Sequence, residues 1–309
     1  MKKDTKLLLG LGAALALCAA GYLALRAWNA GAEGRATQAK TLVADLDNVT
    51  GLAWERAGES FSFQKESGLW VDAEDPAFPA DQDKLEAIAQ ALSPLEAVRA
   101  FPDPDALADY GLDRPAYTLT AYTADGGKTT LALGDRYEGD YYAKAGWDGA
   151  VYTVSSALAG LLDQARTDLA ALPDLPAASA DTLDAVEVAK AGATVRLIRD
   201  GEGWTVNGQA VPEDSAALSA LLTALGSPRF TGCQAYRPDG DTVAACGLDG
   251  PAVVTVTLDE DSYTLSIGAR DGDGGDYFAR LGEDQTIYRL DAYLAGTLLE
   301  LGSDSLTAE

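Results

Sequence analysis

Acidic side chains in the segment 270–284, "RDGDGGDYFARLGED", place carboxylates at short spacing. Asp271, Asp273 and Asp276 could supply some of the six to eight oxygen ligands that Ca²⁺ prefers. The segment departs from the EF-hand loop, because Asp276 stands where that loop needs glycine and no glutamate follows at the twelfth position. A solvated hairpin turn therefore competes with a calcium site, and these residues are weak metal candidates.

Two cysteines could form a disulfide. Cys233 and Cys246 enclose 12 residues of the chain. Outside the cytoplasm such a pair can oxidise, and closing so short a loop would stabilise the fold by about 3 kcal/mol in the absence of strain. Two buried free thiols are the alternative, and the sequence leaves both open.

The composition excludes most other kinds of catalytic site. The chain has no histidine and three cysteines, and it contains neither a GxxxxGK[ST] loop nor a GxGxxG fingerprint. Histidine-dependent triads and four-cysteine zinc sites are therefore excluded. Acidic residues are so numerous that no pair of carboxylates stands out for glycosidase-type work. We expect no enzymatic activity and no cofactor, with a carboxylate-based hydrolase as the remote alternative.

The charge distribution also limits the partners. The 309-residue chain carries 23 basic and 48 acidic residues, a net charge of -25 at pH 7. Such a surface repels phosphate backbones and anionic headgroups. We therefore expect no nucleic-acid binding, and the large acidic part should not lie flat on a membrane.

The N-terminal region predicts a membrane anchor. Residues 7–25, "LLLGLGAALALCAAGYLAL", contain no charge and would span roughly 28 Å as a helix, close to a bilayer's hydrocarbon core. We predict a cytoplasmic tail (1–6), an uncleaved signal anchor (7–25) and a juxtamembrane linker (26–42), with the large C-terminal region extracytoplasmic. Cleavage after "AGA" (30–32) and lipidation at Cys18 are alternatives.

The remainder runs through one pattern twice. "GDYYAK" (139–144) returns as "GDYFAR" (275–280), and "YGLDRP" (110–115) returns as "CGLDGP" (246–251). The spacing between matching features stays near 135 residues, which is typical of two tandem domains rather than small repeats. We predict domains at 43–171 and 182–305 joined by a Pro-rich linker at 172–181.

Each copy predicts an α+β fold. Alternating segments such as "YTLTAYT" (117–123) and "KTTLAL" (128–133) favour hairpins with one face buried. Helical stripes follow Asp81 and Asp214, which are suitable N-cap residues. The pattern therefore indicates a mainly antiparallel sheet with packed helices, formed once in each copy.

The recurring Gly-Leu-Asp-x-Pro motif predicts the end of a short helix. Gly111 and Gly247 stand where a C-cap adopts the left-handed conformation, which costs a residue bearing Cβ about 1–2 kcal/mol. The leucines that follow should fold back on the last turn, and the prolines should begin a strand. Capping thus assigns structural roles to six motif residues and leaves Asp113 and Asp249 unexplained: Gly111, Leu112, Pro115, Gly247, Leu248 and Pro251.

The order of these motifs also resembles a family. A tryptophan-containing strand, "PAD" before a helix, "YGLDRP", "LALGD", "YYAK" and "VYTV" together resemble the uncharacterised DUF4340 family, over nearly all of 43–305 as two copies. The second copy departs from the pattern at Cys246 and Gly250, where the first has Tyr110 and Arg114. The resemblance implies an envelope protein associated with ABC-transporter and gliding-type auxiliary components, and it carries over no catalytic residue.

Together these features predict a single-pass, non-catalytic accessory component of a cell-envelope transport complex, with transporter subunits as protein partners. An extracytoplasmic binding protein for a cation or glycan, using the aromatic and acidic loops, is the alternative.

Overall fold

The computed structural model describes residues 41–146, 149–201, 203–259 and 261–307. The predicted tail and anchor, with Cys18, lie outside these residues, as does the juxtamembrane linker up to residue 40. Within the described ranges, no helix combines the length and apolar character needed to span a bilayer. The remaining chain is mainly antiparallel β-sheet with packed helices, the predicted α+β class.

In its described residues the first domain contains ten strands, two α-helices and two 3-10 helices. In chain order they are β1 (Leu42–Ala44), β2 (Val49–Arg56), β3 (Glu59–Glu66), β4 (Leu69–Asp72), α1 (Gln82–Gln90), β5 (Leu95–Glu96), β6 (Arg99–Phe101), a 3-10 helix (Leu107–Tyr110), β7 (Tyr117–Thr123), β8 (Lys128–Tyr137), β9 (Asp140–Ala145), β10 (Val151–Val154), α2 (Ser156–Leu162) and a second 3-10 helix (Arg166–Leu169).

The second domain repeats this series with small changes. Its elements are β11 (Leu183–Lys190), β12 (Ala193–Asp200), β13 (Gly203–Val206), β14 (Gln209–Val211), α3 (Ala216–Leu225), β15 (Phe230–Ala235), α4 (Gly240–Ala245), β16 (Ala252–Leu258), β17 (Ser262–Arg270), β18 (Tyr277–Leu281), β19 (Ile287–Leu290), α5 (Ala292–Leu299) and α6 (Ser303–Thr307).

The strand order shows the duplication directly. The first sheet runs β4-β3-β2-β7-β8-β9-β10-β6, and the second runs β14-β13-β12-β11-β16-β17-β18-β19-β15. Apart from the additional β14, each strand of one sheet has a counterpart at the same place in the other. β1 and β5 form a separate two-stranded sheet.

The two domains differ at one sheet edge. In the first domain the edge strand β4 is closed by a side chain: Gln82 accepts the Trp70 amide at 2.7 Å and donates to the Trp70 carbonyl at 3.0 Å. In the second domain β14 pairs with β13 at the corresponding edge. Both solutions satisfy backbone groups that an exposed edge would otherwise offer to another chain.

The longer helices lie on one face of each sheet. α1 buries Leu85 and Ile88 against this face, and α2 buries Leu158 and Leu162. Asp81 caps α1 as predicted, accepting the Lys84 amide at 3.1 Å. The predicted cap Asp214 is wrong: Ser215 caps α3 instead. Its hydroxyl oxygen accepts the Leu218 amide at 3.4 Å and donates to the Leu306 carbonyl, which also fastens α6.

The Gly-Leu-Asp-x-Pro motifs end short helices on the opposite face. Gly111 and Gly247 have φ of 65° and 68°. The Leu112 and Leu248 amides reach back to the carbonyls of Leu107 and Val243 at 2.9 and 3.0 Å, the six-to-one bond of a Schellman motif. Both leucines are buried, and Pro115 and Pro251 precede β7 and β16 as predicted.

Each motif also docks on a second glycine in the neighbouring strand. A Cβ added to Gly134 of β8 would lie 2.2 Å from the Tyr110 carbonyl oxygen, and one added to Gly268 of β17 would lie 2.2 Å from that of Cys246. The Ala269 amide donates to the Cys246 carbonyl at 2.8 Å. We call this backbone contact the glycine clasp; it lies on the face of β8 and β17 that is opposite the longer helices.

The domains share one core and a polar junction. Asp72, which is 1% exposed, accepts the Glu74 and Asp75 amides at 2.9 and 3.0 Å and forms an ion pair with Arg166. The Arg166 guanidinium lies 5.0 Å from the centre of the Phe78 ring. Phe78 in turn meets Tyr236 of the second domain edge-on at 5.2 Å. Arg237 completes the junction by pairing with Asp75 at 2.7 Å.

The linker is part of the shared core. Residues 171–179 contain no strand or helix. Leu175 and Ala178 are nevertheless buried, and the Ala178 amide donates to the Leu225 carbonyl at 2.8 Å. The chain between the domains is therefore packed against them rather than forming a free tether.

The glycine clasp predicts that adding a single methyl group at Gly134 destabilises the fold. We expect Gly134→Ala to lower the free energy of unfolding by about 1–3 kcal/mol, because the new Cβ overlaps backbone that has little room to move. Gly160→Ala in α2 is the matched control, since its Cβ meets nothing within 4 Å and alanine favours a helix by about 1 kcal/mol. Urea unfolding of both variants measures the difference; equal stability would contradict the clasp.

The polar junction predicts that Asp72 contributes more to the stability of the fold than an exposed ion pair does. Asp72→Asn should cost about 1–3 kcal/mol, because it removes the charge that balances the partly buried Arg166. Glu187→Gln, which breaks the exposed pair with Arg196, should cost under about 1 kcal/mol. Thermal unfolding compares the two; a smaller loss for Asp72→Asn would refute the structural role of the junction.

Candidate functional site: the outer sheet faces

The acidic loop does not assemble a metal site in the structure. The two carboxylate oxygens of Asp276 accept the Thr231 hydroxyl at 2.6 Å and the Ala292 amide at 3.0 Å, so this side chain fastens the start of α5. Asp271 pairs with Arg289 at 3.1 Å. Across the described ranges, no three of the acidic and cysteine side chains are grouped so that they could hold a metal ion. Asp271, Asp273 and Asp276 therefore belong to the turn that connects β17 to β18.

Of the two states that the sequence left open for Cys233 and Cys246, the structure shows free thiols. Cys233 and Cys246 are both free and buried. They pack in separate apolar clusters, because Cys233 faces the main core whereas Cys246 lies with Leu248, Phe278 and Ile287 under the second motif. Burial raises the pKa of the Cys233 thiol to about 11, and the nearby Asp284 adds to this. Burial also raises the pKa of Cys246, so neither thiol is a ready nucleophile.

The aromatic residues of the first domain mostly contact one another. Tyr142 lies 4.9 Å from Tyr110 edge-on and 5.4 Å from Tyr137, and Phe101 closes the group at 5.9 Å. Arg99 lies 5.0 Å over the Tyr137 ring. This group is the apolar filling beneath the first motif, while Trp147, which the sequence places near it, lies outside the described residues.

The two aspartates that capping leaves unexplained point to solvent. Asp113 and Asp249 are exposed, and among the described residues neither side chain has a hydrogen-bond partner. They are not brought together with another candidate site residue.

Each sheet also has an outer face, on the side away from the longer helices. A shallow groove lies there over β2, β3 and β7 in the first domain and over β11, β12 and β16 in the second, and we call it the outer groove. In the second domain its cavity is about 590 Å³ and is lined by Asp184, Glu187, Arg196, Ile198, Thr255 and Thr257. The first-domain groove, about 260 Å³, includes Glu55, Ser60, Ser62, Thr118 and Thr120.

The outer groove of the second domain combines polar and apolar groups. Ile198 is 40% exposed and Val253 on the same sheet is 38% exposed. Arg196 pairs with Glu187 at its Nε with an N–O distance of 2.7 Å, and Thr255 contacts the Thr264 hydroxyl at 3.2 Å. Sequence reasoning missed this surface; the alternation of threonine with buried valine in "VVTVTL" was the available signal.

The cysteine geometry predicts resistance to alkylation. At pH 8 the raised pKa values leave little thiolate, so iodoacetamide should leave Cys233 and Cys246 unmodified in the folded protein and label both in urea without a reductant. Peptide mass spectrometry assigns the label to each residue. A pair that stays unlabelled in urea until reductant is added would show that the disulfide exists.

The comparisons with known proteins give a family and nothing further. The profile described as "Domain of unknown function (DUF4340)" matches residues 70–251 and, overlapping them, 204–304. No curated protein and no solved structure matches the chain. The matched segments together extend from Trp70 in the first domain to the end of the second, which is well over half of the chain. The protein therefore belongs to the DUF4340 family.

Proposed function

We propose that the protein is a membrane-anchored, extracytoplasmic accessory component of a cell-envelope transport complex of the ABC-transporter type, and that it acts by binding protein partners rather than by catalysis. The anchor is supported by the uncharged residues 7–25 behind Lys2, Lys3 and Lys6. Association with a transporter is what the family resemblance suggests.

The outer groove of the second domain is the observation that carries a binding role. Its charged pair, threonine hydroxyls and exposed Ile198 offer a mixed surface of the kind that protein partners cover. Both domains present such a face on the same side of their sheets, so tandem duplication extends the surface available to a partner.

The positions of the reactive groups support a non-catalytic role. Asp276 and Asp291 cap or fasten α5. Asp284 accepts the Tyr288 hydroxyl at 2.8 Å. The described thiols have raised pKa values. These groups hold the fold together, and a binding surface needs none of them.

A crosslinking experiment in intact cells tests the proposal. We expect tagged full-length protein to require detergent for release from membranes, to be cut by protease added from outside, and to crosslink to a transporter permease or its ATPase. Ile198→Arg in the outer groove should reduce that crosslink at least ten-fold, because it places a charge and bulk in the contact. Leu69→Arg on β4, where the native side chain is 60% exposed, is the matched control and should retain it.

Release without detergent would contradict the anchor. Detergent-dependent release with a crosslink that Ile198→Arg leaves intact would contradict the outer groove as the binding surface.

A further inference from the structure

A second cavity lies beside the Gly-Leu-Asp-x-Pro motif of the second domain. Its volume is about 500 Å³, within the range of roughly 300–1,000 Å³ typical of small-molecule sites. It differs from the outer groove in lying at the end of the sheet, between the motif and α5. The residues that matter for its chemistry are Lys190, Gly250, Ala252, Ile267, Tyr277 and Glu300.

The first domain shows what fills the corresponding space. Strand register makes Tyr117 the counterpart of Ala252, because Tyr117 lies opposite Leu133 in β8 and Ala252 lies opposite Ile267 in β17. Leu133 and Ile267 each stand directly before the glycine of the clasp. A tyrosine side chain in one domain is thus replaced by a methyl group in the other.

Tyr117 is held by specific partners. It is 8% exposed, and its ring lies 6.2 Å from that of Tyr141 at 72°. The pKa of its hydroxyl is raised first by burial and then by the negative charge of the nearby Asp163 carboxylate. Asp163, the C-cap residue of α2, also pairs with Arg56 at 2.6 Å.

The second domain has residues equivalent to these neighbours of Tyr117, but it has no tyrosine ring between them. Tyr277 occupies the place of Tyr141, with Arg270 5.5 Å over its ring where the first domain has Arg136 at 5.6 Å over Tyr141. Lys190 ends β11 as Arg56 ends β2. Glu300 is the C-cap of α5, as Asp163 is of α2.

Two charged groups at this cavity differ from their first-domain counterparts in their ion pairing. Among the described residues, neither the Lys190 ammonium nor the Glu300 carboxylate forms an ion pair, whereas Arg56 and Asp163 pair beside Tyr117. Gly250 also replaces Arg114 at the variable position of the motif, and a Cβ there would meet nothing within 4 Å. The second domain therefore lacks two bulky side chains on one side of the cavity.

We propose that this cavity binds a phenol ring. The ring takes the place that Tyr117 holds in the first domain, with its edge or face against Tyr277 and its hydroxyl donating to Glu300 near Lys190. A free phenolic compound and a tyrosine side chain of a partner protein carry the same chemistry. The inference rests on the comparison of the two domains and does not depend on membrane anchoring or on the outer groove.

Binding of 4-methylphenol, the side chain of tyrosine, tests the proposal. With purified full-length protein in detergent, we expect saturable binding by ligand-observed NMR, and at least three-fold weaker binding of toluene, which lacks the hydroxyl. Ala252→Tyr should fill the cavity and reduce 4-methylphenol binding at least ten-fold. No saturable binding to the unchanged protein, or unchanged binding to Ala252→Tyr, would overturn the proposal.

Two further variants test the same site independently of whether Ala252→Tyr folds. Gly250→Arg restores the first-domain residue at an open position and should also weaken binding at least ten-fold. Tyr117→Ala should lower the melting temperature and create a second site, so that saturating 4-methylphenol recovers part of the loss. Full binding to Gly250→Arg together with no recovery in Tyr117→Ala would refute the equivalence of the two sites.

The source of the ring is distinguished by comparing two probes. N-acetyl-tyrosinamide carries the ring with backbone on both sides and should bind at least as well as 4-methylphenol if the natural occupant is a tyrosine of a partner. Stronger binding of 4-methylphenol favours a free phenolic ligand. Failure of both probes would refute the phenol site while leaving the membrane and outer-groove proposals standing.

Discussion

The contact between two backbone segments at the glycine clasp is the constraint on which the rest of each domain depends. The carbonyl of residue 110 or 246 approaches the strand so closely that only glycine fits at Gly134 and Gly268. The left-handed turn at Gly111 and Gly247 then directs the following leucine onto the sheet. The clasp covers β8 and β17 at this point, whereas the outer groove is lined by β2, β3 and β7 in the first domain and by β11, β12 and β16 in the second. The same contact therefore fixes where the motif lies on the sheet and which of its residues are buried.

Duplication preserved this constraint while other contacts diverged. Strand order is the same in the two sheets apart from β14. At that edge a glutamine side chain bonds the β4 backbone in one domain, whereas β14 pairs with β13 in the other. The apolar cluster beneath the motif contains Tyr110, Tyr142 and Val151 in the first domain. In the second domain it contains Cys246, Phe278 and Ile287. Ala252 stands in the second domain where Tyr117 stands in the first, and the surrounding residues are similar. A small side chain in an otherwise similar environment leaves a space of the size that a tyrosine ring fills in the other domain, which is the physical basis for the phenol site.

Local features were predictable from the sequence and non-local ones were not. The C-caps at Gly111 and Gly247, the hairpins and the cap at Asp81 depend on a few neighbouring residues, and they were predicted correctly. The cap at Ser215 was missed because Asp214 is an equally good cap by type, and the bond from Ser215 to Leu306 involves residues far apart in sequence. The clasp was missed because its partners lie more than 20 residues apart, although their joint recurrence was a usable signal. Aligning the motifs by letters sets Tyr117 against Val253, so only strand register reveals its equivalence to Ala252.

Amide hydrogen exchange at Ala269 tests the account most directly. This residue is exposed at the surface, but its amide donates across the clasp to Cys246. If the clasp holds each domain together, the Ala269 amide should exchange only through global unfolding, as slowly as those of the central strands β16 and β17. Exchange at the rate of the neighbouring exposed turn at Gly272 would show that the motif opens independently, and it would contradict the central role given to the clasp.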